Sequence, residues 1–153
     1  SFSFFTFYTI RFENFGLILT IFIILICAFT DTGGYLFGRI FKGPKLTSLS
    51  PKKTYSGMIG GYLLSMLAAG LFLYYYQMEN ELYNFYILEL KTFIIIFVIS
   101  SISQIGDIII SYFKRLSKKK DTGKILPGHG GLLDRVDGMI FAFPFFYIFS
   151  KII

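Results

Sequence analysis

Apolar residues along this chain gather into runs that approach the roughly 20 residues a helix needs to cross the hydrocarbon core of a bilayer. Leu17–Thr30 is apolar but short, and Gly33–Phe41 offers an extension of it. Met58–Tyr76 carries no charge and ends on Tyr74-Tyr75-Tyr76, the kind of aromatic run that sits at membrane interfaces. Thr92–Phe113 is long enough to cross, with Asp107 interrupting it. Gly138–Ile153 is apolar except for Lys151 and contains Pro144. The opening Ser1–Ile10 reads as the stump of an earlier span. It has neither the basic start nor the small-residue cleavage site of a signal peptide.

The polar positions fall between these runs and are unevenly charged. Segment 31–57 holds Arg39, Lys42, Lys45, Lys52 and Lys53; segment 114–135 holds Lys114, Arg115, Lys118, Lys119, Lys120, Lys124 and Arg135. Together they carry 12 of the 15 Lys and Arg. Two spans separate them, so both face one side, and the positive-inside rule makes that side cytoplasmic. Segment 77–91 has Glu79, Glu81 and Glu89 against Lys91 and reads as an external loop. Topology alone accounts for the charges, but not for the Gly, Pro, Asp and His among them.

Composition narrows the class. At 153 residues the chain is long enough for one soluble domain, yet 54% is apolar, mean hydropathy is +0.64, and 20 Phe and 11 Tyr are present. That is more apolar surface than one small core hides. Charged residues make up 16%, against about 25% in soluble proteins. Disorder is excluded by the hydrophobicity, and a disulfide framework by the single cysteine, Cys27. The expected fold is all-α: a polytopic transmembrane helical bundle with two cytoplasmic basic loops, one membrane domain over 1–153. Residue 1 is Ser rather than Met, so a processed, truncated or partial chain is expected.

Segment 114–135 and its flanks carry candidate chemistry. Pro127-Gly128 and Gly130-Gly131 make a turn-rich loop whose backbone can approach a ligand closely, and successive N–H groups in such loops form anion-binding concavities. Asp134 and Asp137 are spaced i, i+3, on one face of a helix. Paired carboxylates beside phosphate-binding cations suit Mg²⁺, which takes oxygen ligands. Asp107 adds an ionisable group inside an apolar span, which is costly there and points to function. Each has a plainer reading. Asp-x-x-Asp is common on exposed helices, Asp107 would serve as a buried partner for a lysine, and His129 would pack a loop. One histidine and a remote Cys27 do not make a zinc site.

The combination resembles a known family. Ser111 to Asp137 reads Ser-x-Phe-Lys-Arg, four residues, Lys-Asp-x-Gly, two residues, Leu-Pro-x-His-Gly-Gly-Leu-x-Asp-Arg-Val-Asp. This is similar to the signature of the phosphatidate cytidylyltransferases, or CDP-diacylglycerol synthases. Gln104-Ile105-Gly106-Asp107 also resembles that family. So do Asp31-Thr32-Gly33-Gly34-Tyr35-Leu36-Phe37-Gly38-Arg39 and Ser50-Pro51-Lys52-Lys53-Thr54-Tyr55-Ser56-Gly57. Gly34 stands where the family usually has Ala, and Ser56 where Glu or Gln is commoner. The resemblance runs from about Leu17 to the C-terminus. Family members are longer, with further N-terminal spans, so this chain is expected to be the C-terminal catalytic portion.

The resemblance implies a reaction: CTP plus phosphatidate gives CDP-diacylglycerol plus pyrophosphate, in membrane lipid and on the cytoplasmic face (the inner membrane in a bacterium). It implies that Asp107, Asp134 and Asp137 hold Mg²⁺, with room for a second metal ion. Lys52, Lys53, Lys120 and Arg135 would bind triphosphate or lipid phosphate, Lys120 and Arg135 at the reacting centre. Ser50, Thr54, Lys114, Arg115, Asp121, Gly130 and Gly131 would complete the substrate contacts, and His129 is either a phosphate donor or a loop anchor. Nothing points to nucleic acid, and homo-oligomerisation is left open. Three other readings compete. A CDP-alcohol phosphatidyltransferase wants Asp-Gly-x-x-Ala-Arg, and Asp137-Gly138-Met139-Ile140-Phe141-Ala142 lacks the Arg. A transporter or channel fragment would put Asp107 on an ion path. A truncated synthase would keep the motifs without the activity.

Overall fold

In hydrocarbon every backbone N–H and C=O must be satisfied within the protein, and the helix does this locally. The computed structural model describes residues 2–12, 16–47, 53–79, 90–117 and 133–150, with side chains for all of these except 77–79, 133–136 and 150. The elements are α1 (Phe2–Phe12), α2 (Gly16–Phe41), α3 (Tyr55–Glu79), α4 (Leu90–Leu116) and α5 (Leu133–Ser150). Gly16–Phe41, Tyr55–Tyr76 and Leu90–Leu116 are long and apolar enough to cross a membrane. Of the expected fourth span, the described part has an apolar stretch, Asp137–Phe149, shorter by itself than the ~20 residues that crossing takes; residues 151–153 lie outside the described residues.

The first basic segment is less of a loop than its charges suggest. Residues 31–41 continue α2, because nothing in Asp31 to Phe41 breaks a helix until the chain reaches Lys42, Gly43 and Pro44. Lys42 (φ 51°) and Gly43 (φ 103°) turn left-handed, the usual helix stop, which glycine adopts without a Cβ penalty. The connection then folds back on itself: Leu46 N–H donates to Lys53 O at 2.8 Å and Tyr55 N–H to Pro44 O at 3.2 Å.

α2 and α3 are antiparallel and cross closely through glycines. A Cβ on Gly33 would stand 2.5 Å from Gly60 O, and one on Gly57 would stand 2.5 Å from Gly34 O. Such small-residue contacts let helix backbones approach where lipid gives no hydrophobic drive to associate. The core between α1, α2, α4 and α5 holds Ile10, Ile23, Ile26, Ile96, Ile99 and Ala142, all essentially inaccessible. Phe7 of α1 meets Phe143 of α5 edge-on, at 5.1 Å between centroids. Polar pairs stitch the helices together: Thr30 Oγ1 with Ser100 Oγ at 2.8 Å, and Tyr62 OH with Ser101 Oγ at 3.0 Å. Leu63, Leu67 and Leu71, one per turn of α3, stay about half exposed. That stripe belongs against acyl chains.

The pairings Gly33–Gly60, Met58–Gln104 and Lys53–Asp107 set the chain direction in each helix. The end of α2, the start of α3, the end of α4 and the start of α5 meet at one end of the bundle. α3 finishes and α4 begins at the other. Both basic segments therefore join helices at the same end.

Candidate functional site

The site begins with a helix cap. Thr54 precedes α3, and its Oγ1 accepts a hydrogen bond from Gly57 N–H at 3.1 Å, satisfying one of the free donors of the first turn. Ser56 Oγ donates to the carbonyl of Lys42 and so ties the cap to the end of α2. These bonds fix the backbone at Lys53. Its ammonium reaches α4, donating to Asp107 Oδ2 at 2.9 Å and to Gln104 O at 3.4 Å.

Asp107 is also approached by α5. Gly138 packs onto α4 so closely that a Cβ there would collide with Ser103 Oγ and lie 3.1 Å from Asp107 Oδ1. Without that side chain, the first turns of α5 bring Asp137 into the cavity that Asp107 lines, where the two carboxyls feel each other's charge. Asp137 Oδ2 pairs with Lys114 Nζ at 3.5 Å, and its Oδ1 accepts from Gly138 N–H at 3.1 Å. From α2, Asp31 lines the same cavity, in the electrostatic field of Asp107 and Lys53. Asp107 is thus the middle of three carboxyls, each carried by a different helix. Its Oδ1 and the Oγ of Ser103 are buried without a hydrogen-bond partner among the described residues. The Cys27 thiol, a weak donor, lies close to Ser103.

A cavity of about 580 Å³ opens on this cluster. Asp31, Lys53, Thr54, Gln104, Asp107 and Asp137 line its polar part; Ala28, Leu46, Met58 and Met139 form an apolar wall. Among the described residues three carboxylates and one lysine line it, with Lys114 behind Asp137. Among the described residues no three His, Cys, Asp or Glu side chains gather into a ready-made metal cage. The three carboxyls instead stand around one cavity.

Of the residues singled out from sequence, Lys53, Thr54, Asp107 and Asp137 line the cavity. Thr54 also has the structural duty of a cap. Asp107 does have the lysine partner of its plainer reading, and that lysine is Lys53. Lys114 stands behind Asp137 and Arg115 is exposed; neither is among the described cavity-lining residues. Asp134 and Arg135 fall on the first turn of α5, with their side chains outside the described set. Ser50, Lys52, Lys120, Asp121, His129, Gly130 and Gly131 lie outside the described residues. Asp31 is the addition. Once α2 is seen to run past it, the rule that drew attention to Asp107, an ionisable group inside a span, applies to Asp31 as well.

Comparison with known proteins agrees with these motifs. The model of the Cytidylyltransferase family matches residues 1–153. The phosphatidate cytidylyltransferase of Staphylococcus epidermidis is 43% identical over 144 residues, covering 93% of this chain and 52% of the relative. That of Staphylococcus aureus is 42% identical over 143 residues, with the same shares. That of Rickettsia typhi is 42% identical over 120 residues, covering 76% of this chain and 51% of the relative. The chain spans about half the length of the relatives it matches. Matched by the family pattern from end to end, the chain belongs to the cytidylyltransferase family.

Proposed function

We propose that this chain carries the reaction centre of a phosphatidate cytidylyltransferase, which joins CTP and phosphatidate into CDP-diacylglycerol and releases pyrophosphate. One observation carries the reading: Asp31, Lys53, Asp107 and Asp137, drawn from separate elements, meet in a cavity of about 580 Å³ at the bundle end that both basic segments share. That volume falls in the roughly 300–1,000 Å³ range of small-molecule sites. The concentration of Lys and Arg at this end supports placing it on the cytoplasmic side, where CTP is dissolved. A site at the helix ends lets the phosphatidate head enter while its tails stay in lipid.

In the reaction a phosphatidate oxygen attacks the α-phosphorus of CTP. The new P–O bond forms as the bond to the β-phosphate breaks, and pyrophosphate leaves. The attacking phosphate monoester is already ionised near neutral pH, so no side chain has to deprotonate it. What the protein supplies is positioning and charge. Lys53 meets incoming phosphate as a point charge on a fixed backbone, and Arg135 and Lys120 would add to it from the second basic segment. Lys114 holds Asp137 in place. The donors of Asp31, Asp107 and Asp137, with Asp134 one turn away on α5, are all carboxylate oxygens, which fits Mg²⁺. The buried Asp107 Oδ1 is an acceptor left over once Lys53 has taken Oδ2. Bound by these carboxylates, Mg²⁺ supplies charge stabilisation for the departing pyrophosphate.

The test is transfer of label from α-labelled CTP into the lipid fraction, by purified protein in vesicles containing phosphatidate. Incorporation that needs phosphatidate and releases one pyrophosphate per label is expected. Correctly inserted, folded protein that transfers no label contradicts the reading.

A further inference from the structure

We propose that Lys53 is a placeholder for the divalent cation: it neutralises Asp107 in the free site and is released to the nucleotide phosphates when the cation arrives. This rests on the Mg²⁺–nucleotide reading above and adds an order of events to it. Among the described residues the ammonium's hydrogen bonds both go to α4, to Asp107 Oδ2 at 2.9 Å and Gln104 O at 3.4 Å. While it stays there, the cation that phosphates need is occupied, and so is one oxygen that a metal needs. A divalent ion on Asp107 Oδ1 would sit within a few ångströms of the like charge that Lys53 places on Oδ2, and their repulsion favours release of the ammonium.

The surroundings allow exchange without rearranging the fold. The backbone at Lys53 is held by the Leu46–Lys53 hydrogen bond and the Thr54 cap, so only a flexible side chain moves. The pair is half-buried, with 28% and 16% of the two side chains exposed. Water can therefore solvate the ammonium in transit, which a sealed pair would not permit. Lys53 itself lines the cavity on a fixed backbone, so the released ammonium stays beside it rather than swinging away. The consequence is ordered binding. Without cation, Lys53 is withheld from phosphate; with cation, it is freed at the moment phosphate charge must be met.

The experiment is lysine footprinting on the purified protein in detergent, using a water-soluble acetylating reagent and mass spectrometry. It is run without metal, with Mg²⁺, and with Mg²⁺ plus CTP. Lys45, exposed on the same connection, is the internal standard. Lys53 acetylation should rise severalfold with Mg²⁺ alone and fall again when CTP is added, while Lys45 stays constant. In parallel, Mn²⁺ binding is followed by electron paramagnetic resonance. Lys53→Met should tighten Mn²⁺ about tenfold by removing the competing charge of a partly exposed pair, and Asp107→Asn should weaken it. Asp107-dependent Mn²⁺ binding with Lys53 reactivity unchanged by Mg²⁺ overturns the handover and leaves the metal–nucleotide reading standing. Mn²⁺ binding indifferent to Asp107→Asn overturns both.

Discussion

Lys53 Nζ stands 2.9 Å from Asp107 Oδ2, joining the entrance of α3 to the C-terminal half of α4. The two residues are 54 positions apart in sequence. The contact exists because the α2–α3 connection folds back on a capped helix start, and because α3 and α4 run antiparallel. Asp31 and Asp137 line the same cavity as this ion pair.

Asp31 heads one of the family-like motifs of the sequence but has no role assigned from it. If it shares the work of Asp107, Asp31→Asn should lower cytidylyl transfer by about tenfold or more, as loss of an electrostatic contributor does, without changing the melting temperature in detergent. Turnover within about twofold of the parent would return Asp31 to the status of an exposed carboxylate at the cavity mouth.

The glycine crossing of α2 and α3 holds Asp31 over Lys53. Gly33→Ala places a Cβ 2.5 Å from a backbone oxygen that cannot rotate away, whereas Gly70 has nothing within 4 Å. Overpacking of this kind costs about 1–3 kcal/mol, so Gly33→Ala should melt earlier and lose transfer activity. Gly70→Ala should be neutral or slightly stabilising, by up to ~1 kcal/mol from helix propensity. Thermal unfolding of the two variants side by side decides this, and equal melting temperatures would contradict the close crossing.

Sidedness is open to chemical labelling. Cys27 is the single cysteine and is fully buried, so background reaction is low. A membrane-impermeant thiol reagent added from outside intact cells should label Asn84→Cys, a position outside the described residues, and not Ser117→Cys at the end of α4. The reverse pattern would put the cavity on the external face.

Lys114 and Arg115 are adjacent and alike in sequence, but only Lys114 reaches Asp137. Lys114→Met should therefore reduce transfer clearly, and Arg115→Met should leave it within about threefold, as for an exposed charge that only steers anions. Equal losses in the two variants would mean that the basic patch acts by bulk charge.

Much of the fold was legible because hydrocarbon leaves an apolar run few options, and Met58–Tyr76 and Thr92–Phe113 lie within α3 and α4. The end of α2 was harder to read: Asp31 and Arg39 look like loop residues by charge, yet helix stops depend on backbone conformation, here at Lys42 and Gly43. Asp107 stood out as an ionisable group inside an apolar span, and Asp137 by its spacing from Asp134. Neither signal could show that Gly138 is what lets α5 close on Asp107, because a glycine's use as a contact surface is visible only once two helices are paired. Thr54 was legible as a polar residue beside the site but not as a cap, since its role depends on where α3 starts.

The central claim is that the carboxylates meeting at Asp107 serve cytidylyl transfer, and it is tested most directly by turnover of Asp107→Asn and Asp137→Asn against Lys118→Ala. Each Asn keeps size and hydrogen-bonding capacity while removing one negative charge. Transfer of α-labelled CTP into lipid should fall on the order of 10²-fold or more in both Asn variants, with added Mg²⁺ restoring part of it. Lys118 lies in the four-residue gap of the motif and outside the described residues, and Lys118→Ala should lose less than about fivefold. Near-parental turnover in Asp107→Asn and Asp137→Asn, in correctly inserted protein, would contradict the claim.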